Sequence, residues 1–215
     1  MTHQDSPSRE GLARYLQLQT MRGLSLRPRS LVVSCCDFWG DPHLLSGTRP
    51  GEMLQIKTPG NIVPPLGISP NAESATIEMA INEFQVSDII VLGHTPCRCI
   101  ANLMSPESLH TMPRVGEWLQ YADATRQIVQ SKHADRTAYA QIDAATEENV
   151  LVQLNHLKTH PSVSTAIAMD RVALHGWLFR AESGELETYV PKMRRFVSVT
   201  ADANPNRSAA DCVVA

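Results

Sequence analysis

The stretch Asp88-Ile89-Ile90-Val91-Leu92-Gly93-His94-Thr95-Pro96-Cys97 decides the fold. Four consecutive apolar residues, three of them β-branched, read as a strand buried on both faces, and such strands belong to parallel sheets covered by helices. A second apolar run, Leu31-Val32-Val33-Ser34-Cys35, has the same character and runs on into Cys36 and Asp37. Both runs end in chemistry rather than in a plain turn. Functional groups gather at the carboxyl ends of strands in such sheets, so Cys35, His94 and Cys97 are expected to meet there.

Outward from these runs, residues 53–56 read as a further strand and 71–86 as a helix with Ala75, Met79, Ala80 and Phe84 on one stripe. Strand, helix, strand implies parallel pairing through crossover helices. Residues 114–131 and 144–160 read as helices. The second carries Val150, Leu151, Leu154 and Leu157 on its apolar face and is stopped by Pro161. Residues 172–179, 187–190 and 196–199 read as closing strands, with Ser183-Gly184 turning a hairpin. Leu12, Tyr15, Leu16 and Leu18 mark an amphipathic N-terminal helix ending near Gly23 and Pro28. The fold class is α/β, a mostly parallel central β-sheet flanked by helices. One domain over 11–199 is expected, between tails at 1–10 and 200–215 that are polar or small enough to fray.

The chain's 215 residues, 43% hydrophobic and 19% charged, support a single packed core. Nineteen Lys and Arg against 22 Asp and Glu leave a net charge of −3, which gives no field to draw in nucleic acid or an anionic membrane. No apolar run reaches the roughly 18–20 residues of a membrane span, and no signal-peptide core is present, so a cytoplasmic location is expected. The five cysteines, Cys35, Cys36, Cys97, Cys99 and Cys212, are odd in number and clustered. Such a set suits a metal site or reactive thiols better than a disulfide framework. Two thiolates and an imidazole match the donors zinc prefers, and three protein ligands leave one position open for chemistry. Buried free cysteine is also common as an inert packing residue, so this residue pattern leaves both readings open.

The motifs Cys35-x-Asp37, Gly51-Glu52, Asn61-Ile62-Val63-Pro64-Pro65 and Gly93-His94-x-x-Cys97 resemble the β-class carbonic anhydrases. The similarity continues through Glu147-Glu148-Asn149-Val150, Gln153-Leu154, Thr159-His160-Pro161 and Leu174-His175-Gly176-Trp177. It implies a Zn2+ enzyme interconverting carbon dioxide and bicarbonate, with Cys35, His94 and Cys97 as metal ligands. It also implies a homodimer or homotetramer whose N-terminal helix packs on the partner, with a small molecule as the substrate. Zinc lowers the pKa of water from 15.7 toward about 7 and so supplies hydroxide at neutral pH. In the family, the aspartate matching Asp37 orients that water, and an arginine two residues later holds the aspartate off the metal.

Here Trp39 stands where that arginine belongs. Indole offers one uncharged N–H and cannot replace a bidentate guanidinium. Asp37 then has two open fates: it turns onto the metal and closes the site, or another donor among Lys57, Arg98 and His43 holds it. Arg98 stands where the family has a glycine after the cysteine ligand, and Lys57 where it has another arginine. A substrate-binding glutamine upstream is replaced by Leu26 in the best alignment. Phe38, Trp39, Lys57 and Arg98 are therefore the candidate substrate-pocket residues, in a pocket expected to be crowded and apolar. Such a pocket leaves three functions open: carbon dioxide hydration, hydrolysis of carbonyl sulfide or carbon disulfide, and a silent zinc-bearing fold. Strand alternation points Cys36 away from the metal, and it is a fallback ligand if the strand end is twisted, while His160 and His175 read as structural.

Overall fold

The computed structural model describes residues 27–49, 51–67 and 70–199. The expected N-terminal helix, both tails, Leu26 and Cys212 lie outside them. Six strands form one sheet in the order β2-β1-β3-β4-β5-β6: β1 (Ser30–Cys35), β2 (Met53–Thr58), β3 (Asp88–Thr95), β4 (Ala173–Arg180), β5 (Glu185–Val190) and β6 (Arg195–Ser198). The first four are parallel, and β4-β5-β6 is an antiparallel meander. This is the expected mostly parallel sheet. Gly184 closes the β4–β5 hairpin at φ +72°, a left-handed conformation glycine adopts without a Cβ penalty.

The period of two along the central strands divides the core. Val32, Ile90 and Leu92 face one layer, while Leu31, Val33, Ile89 and Val91 face the other. Helices cover both: α1 (Pro42–Ser46), α2 (Ala72–Asn82), α3 (Arg98–Met104), α4 (Pro113–Leu119), α5 (Asp123–Lys132), α6 (Ala138–Leu157) and α7 (Pro161–Ala168). Among the described residues no helix is long and apolar enough to cross a membrane.

Several helix boundaries differ from expectation. Asn71 starts α2 by accepting the Ser74 N–H at 2.8 Å, but the helix ends at Asn82 rather than 86. Its buried stripe is Ile77, Ala80 and Ile81, and Met79 is exposed. The helix expected over 114–131 is two helices joined by a 3₁₀ turn at Gln120–Ala122, which keeps Leu119, Ala122, Thr125 and Val129 on the core side. Pro161 opens α7 at its first turn, where a missing N–H costs nothing.

Helix α6 carries the most informative difference. Leu151 and Leu154 are only half-buried, whereas Asn149 and Gln153 are fully buried. These amides hold the loop after β2. Asn149 Nδ2 donates to Gly60 O at 2.8 Å, Gln153 Nε2 donates to Asn149 Oδ1 at 2.9 Å, and Val63 N donates to Gln153 Oε1 at 3.0 Å. His156 and His160 reach the Val63 and Pro64 carbonyls at 2.8 and 3.1 Å. His175 pairs with Asp88 at 2.8 Å, so His160 and His175 are structural as expected.

Gly93, between the β3 core and His94, has no room for a side chain. A Cβ there would sit 2.8 Å from Val150 Cγ2 and 3.2 Å from Leu178 Cδ1. Gly93→Ala is therefore expected to cost about 1–3 kcal/mol by overpacking, read as a lower midpoint in urea unfolding. An unchanged midpoint would show that α6 yields freely.

Candidate metal centre

Parallel pairing of β1 with β3, Ser34 opposite Leu92, sets Cys35 and His94 side by side at the carboxyl ends of neighbouring strands. The chain then turns through Pro96, and Cys97 caps α3. The donor atoms of Cys35, His94 and Cys97 all lie within 4.8 Å of one another, and all three residues are buried. The Cys35 and Cys97 sulfurs are 3.7 Å apart. Two sulfurs each about 2.3 Å from a tetrahedral zinc lie about 3.8 Å apart, so the spacing fits that ion. His94 Nε2 is buried without a hydrogen-bond partner among the described residues. Such an orphan is rare in a packed interior, and a metal would satisfy it. The donor set fits zinc.

The surroundings stabilise Cys35 as thiolate. Gly60 N donates to its sulfur at 3.2 Å and Asp37 N at 3.3 Å. Hydrogen bonds from Cys97 and Cys99 hold its pKa well below the usual thiol range against the opposing effect of burial. Gly60 reaches the sulfur from φ +75°, a left-handed backbone that the Asn149 bond to its carbonyl steadies. Asn149, in sequence only part of the family resemblance, thereby helps to place this donor.

Asp37 belongs to neither cluster of metal-donor side chains found among the described residues. Both of its oxygens are taken by Arg98. Nη2 lies 2.6 Å and Nε 2.9 Å from Oδ1, and the Arg98 backbone N–H donates to Oδ2 at 2.9 Å. Partial burial works to raise the Asp37 pKa, but these bonds outweigh it and hold the carboxyl below its ordinary value. The other two candidate donors stand elsewhere: His43 bonds Thr48 through Nδ1 at 3.0 Å, and Lys57 is exposed on β2.

Of the two aromatics proposed for the pocket, Phe38 packs against His94 and Trp39 is exposed. Phe38 is buried with its ring 5.4 Å from that of His94 and 5.6 Å from Phe179. Trp39 is 80% exposed, its edge toward Phe179 at 6.4 Å. The turn that follows β1 sends consecutive side chains in different directions, and Gly40 leaves space for Phe38: a Cβ there would come 2.3 Å from Phe38 Cζ. Cys36 is exposed and stands outside the Cys35–His94–Cys97 group. That residue lies beyond the end of β1, so strand alternation no longer applies, and its sulfur lies within 4.8 Å of those of Cys35 and Cys99.

The carbonic anhydrase family model matches residues 30–186. The chain belongs to the carbonic anhydrase family. A carbonic anhydrase of Pseudomonas aeruginosa is 38% identical over 84% of this chain and 83% of its own length. Carbonic anhydrase 1 of Escherichia coli O157:H7 is 38% identical over 91% of this chain and 86% of its own. The solved β-carbonic anhydrase CcaA superposes with a TM-score of 0.81 at 32% identity, covering 92% of this chain and 89% of that one. The chain is thus a lyase of the β-class, and its departure from the class can be located. The class resemblance implies an arginine partner for the aspartate at position 39 and glycine at 98. Here the indole at 39 faces solvent and the guanidinium stands at 98. Because both Asp37 oxygens are already bonded, Trp39→Arg is expected to change carbon dioxide hydration by less than about threefold, the scale of a surface substitution. A tenfold gain in stopped-flow rate would show that Arg98 does not satisfy Asp37.

Proposed function

We propose that this carbonic anhydrase hydrates carbon dioxide reversibly with a zinc ion held by Cys35, His94 and Cys97. Bound zinc supplies a Lewis acid that brings the pKa of water toward about 7. The residues around it do the rest. Asp37, kept ionised by Arg98, accepts a hydrogen bond from the attacking water and so orients its lone pair toward substrate. The Gly60 and Asp37 N–H groups hold the Cys35 sulfur in place, which fixes the donor geometry from outside. Phe38 roofs His94 and offers the apolar wall that a small uncharged substrate prefers over water. The chain works as a homodimer or homotetramer, and the exposed Trp39 and Leu44 (80% and 83%) favour an assembled state. A cytoplasmic location is part of the same reading.

The observation that carries this proposal is the convergence of two thiols and an unpartnered imidazole nitrogen beside a carboxylate that is tied away from them. The test is stopped-flow hydration by purified, zinc-loaded protein from about pH 7 to about pH 9, across the ionisation of metal-activated water. Turnover well above the uncatalysed rate is expected. None at any pH in that window would defeat the proposal.

A further inference from the structure

Among the described residues the centre leaves two thiols unused, and both stand against it. Cys36 is exposed in the turn after β1, and Cys99 is half-buried in the first turn of α3. Their sulfurs and that of Cys35 lie within 4.8 Å of one another. Cys35 Sγ is 3.8 Å from Cys99 Sγ, nearly the same as its 3.7 Å from Cys97 Sγ. The Cys35 sulfur therefore sits at the corner of two triangles of donors. One contains an imidazole and is fully buried; the other is sulfur alone and opens to solvent through Cys36.

We propose that Cys35, Cys36 and Cys99 form a second, all-sulfur site that takes a soft, thiophilic metal ion and shares the Cys35 sulfur with the Cys35–His94–Cys97 centre. Donor softness selects the ion. Three thiolates without nitrogen or oxygen suit cadmium or copper(I) better than they suit harder divalent ions, whereas the mixed triad suits zinc. A thiolate lone pair not engaged with the first ion is available to a second, so Cys35 can bridge the two. The Gly60 and Asp37 N–H donors already fix the position of that sulfur between the two sets. Access also separates the sites, because an incoming ion meets exposed Cys36 before it meets anything in the buried triad. Sharing couples the two: an ion on the second site draws electron density from Cys35 and weakens its grip on the first.

The test uses the full chain carrying Cys212→Ser, so that the thiol of the C-terminal segment is not counted, loaded with zinc and then given one equivalent of cadmium. After gel filtration, elemental analysis is expected to find one zinc and one cadmium per chain. The same protein with Cys36→Ser is expected to keep its zinc and retain at least tenfold less cadmium, and Cys99→Ser is expected to retain at least tenfold less cadmium as well. Cys36 is exposed, so its substitution leaves the core intact, and circular dichroism verifies this. Cadmium held equally by parent and variants, or cadmium that merely replaces zinc one for one, overturns the proposal. Zinc content before cadmium is added reports separately on the first site, so failure of one reading is distinguishable from failure of the other.

Discussion

Arg98→Ala is expected to lower carbon dioxide hydration by about 10–100-fold, the scale for losing an outer partner of a metal-site group, while zinc content stays at the parental level. The reasoning starts from exposure. The Arg98 side chain is 87% exposed and that of Asp37 only 11%, so the ion pair adds no more than about 1 kcal/mol to folding. Its effect falls on orientation. Without the guanidinium, Oδ1 loses both side-chain partners and the carboxylate is free to rotate about χ2 toward the metal cluster it now avoids. Arg98→Lys should rescue little, because a point charge cannot present Nε and Nη2 side by side to one oxygen. The backbone N–H bond to Oδ2 survives substitution of Arg98 by Ala, Lys or Gly, which limits the loss. The decisive variant is Trp39→Arg combined with Arg98→Gly, which rebuilds the pairing at the position usual for the class. It is expected to recover most of the rate that Arg98→Gly loses alone. The loss should appear in kcat with its pH profile shifted, since a freed Asp37 changes which groups titrate around the attacking water. Arg98→Ala with parental kcat and pH profile would remove Arg98 from any part in positioning.

The relocated arginine also marks the boundary of what the chain's letters disclose. The apolar runs at 31–35 and 89–92 specify parallel strands on their own, because a strand buried on both faces needs no alternation and no partner to be recognised. Their endings place Cys35, His94 and Cys97 together for the same topological reason. Arg98 was one of three candidates, and nothing local separates it from Lys57 or His43. The choice depends on α3 being capped at Cys97 and starting at Arg98, which turns both the backbone N–H and the side chain of residue 98 toward the β1 turn. The part that Asn149 and Gln153 play is hidden in the sequence for a different reason. Helical periodicity assigns burial to Leu151 and Leu154, but a buried backbone loop must have its polar groups met, and the Asn149 and Gln153 amides on the inner face of α6 meet the Gly60 carbonyl and the Val63 N–H. The exposure of Trp39 is hidden because a turn, unlike a strand, gives no rule for side-chain direction.

Removing the metal should have the larger consequence of the two. A ligand present at 1,000 times its Kd stabilises the folded state by about 4 kcal/mol, and for a chain of this size each kcal/mol corresponds to about 2–4 °C in Tm. Stripping zinc with a chelator is therefore expected to abolish hydration and lower Tm by about 8–16 °C, reversibly on adding zinc back. His94→Ala should reproduce that fall in the presence of zinc, yet differ little from the parent once both are metal-free. In the metal-free chain the ring nitrogen Nε2 is a buried atom without a partner, so losing it relieves one cost while the gap beside Phe38 adds another. Cys35→Ala should behave otherwise. It leaves the Gly60 and Asp37 N–H groups without their acceptor, at about 1–3 kcal/mol for each donor that stays buried, so its metal-free form should melt below the metal-free parent. The pair of variants thus separates what the ion contributes from what the sulfur contributes to the loops around it. Parental zinc content and Tm in zinc-loaded His94→Ala would mean that the imidazole holds no metal, and the centre would have to be sought among the thiols alone.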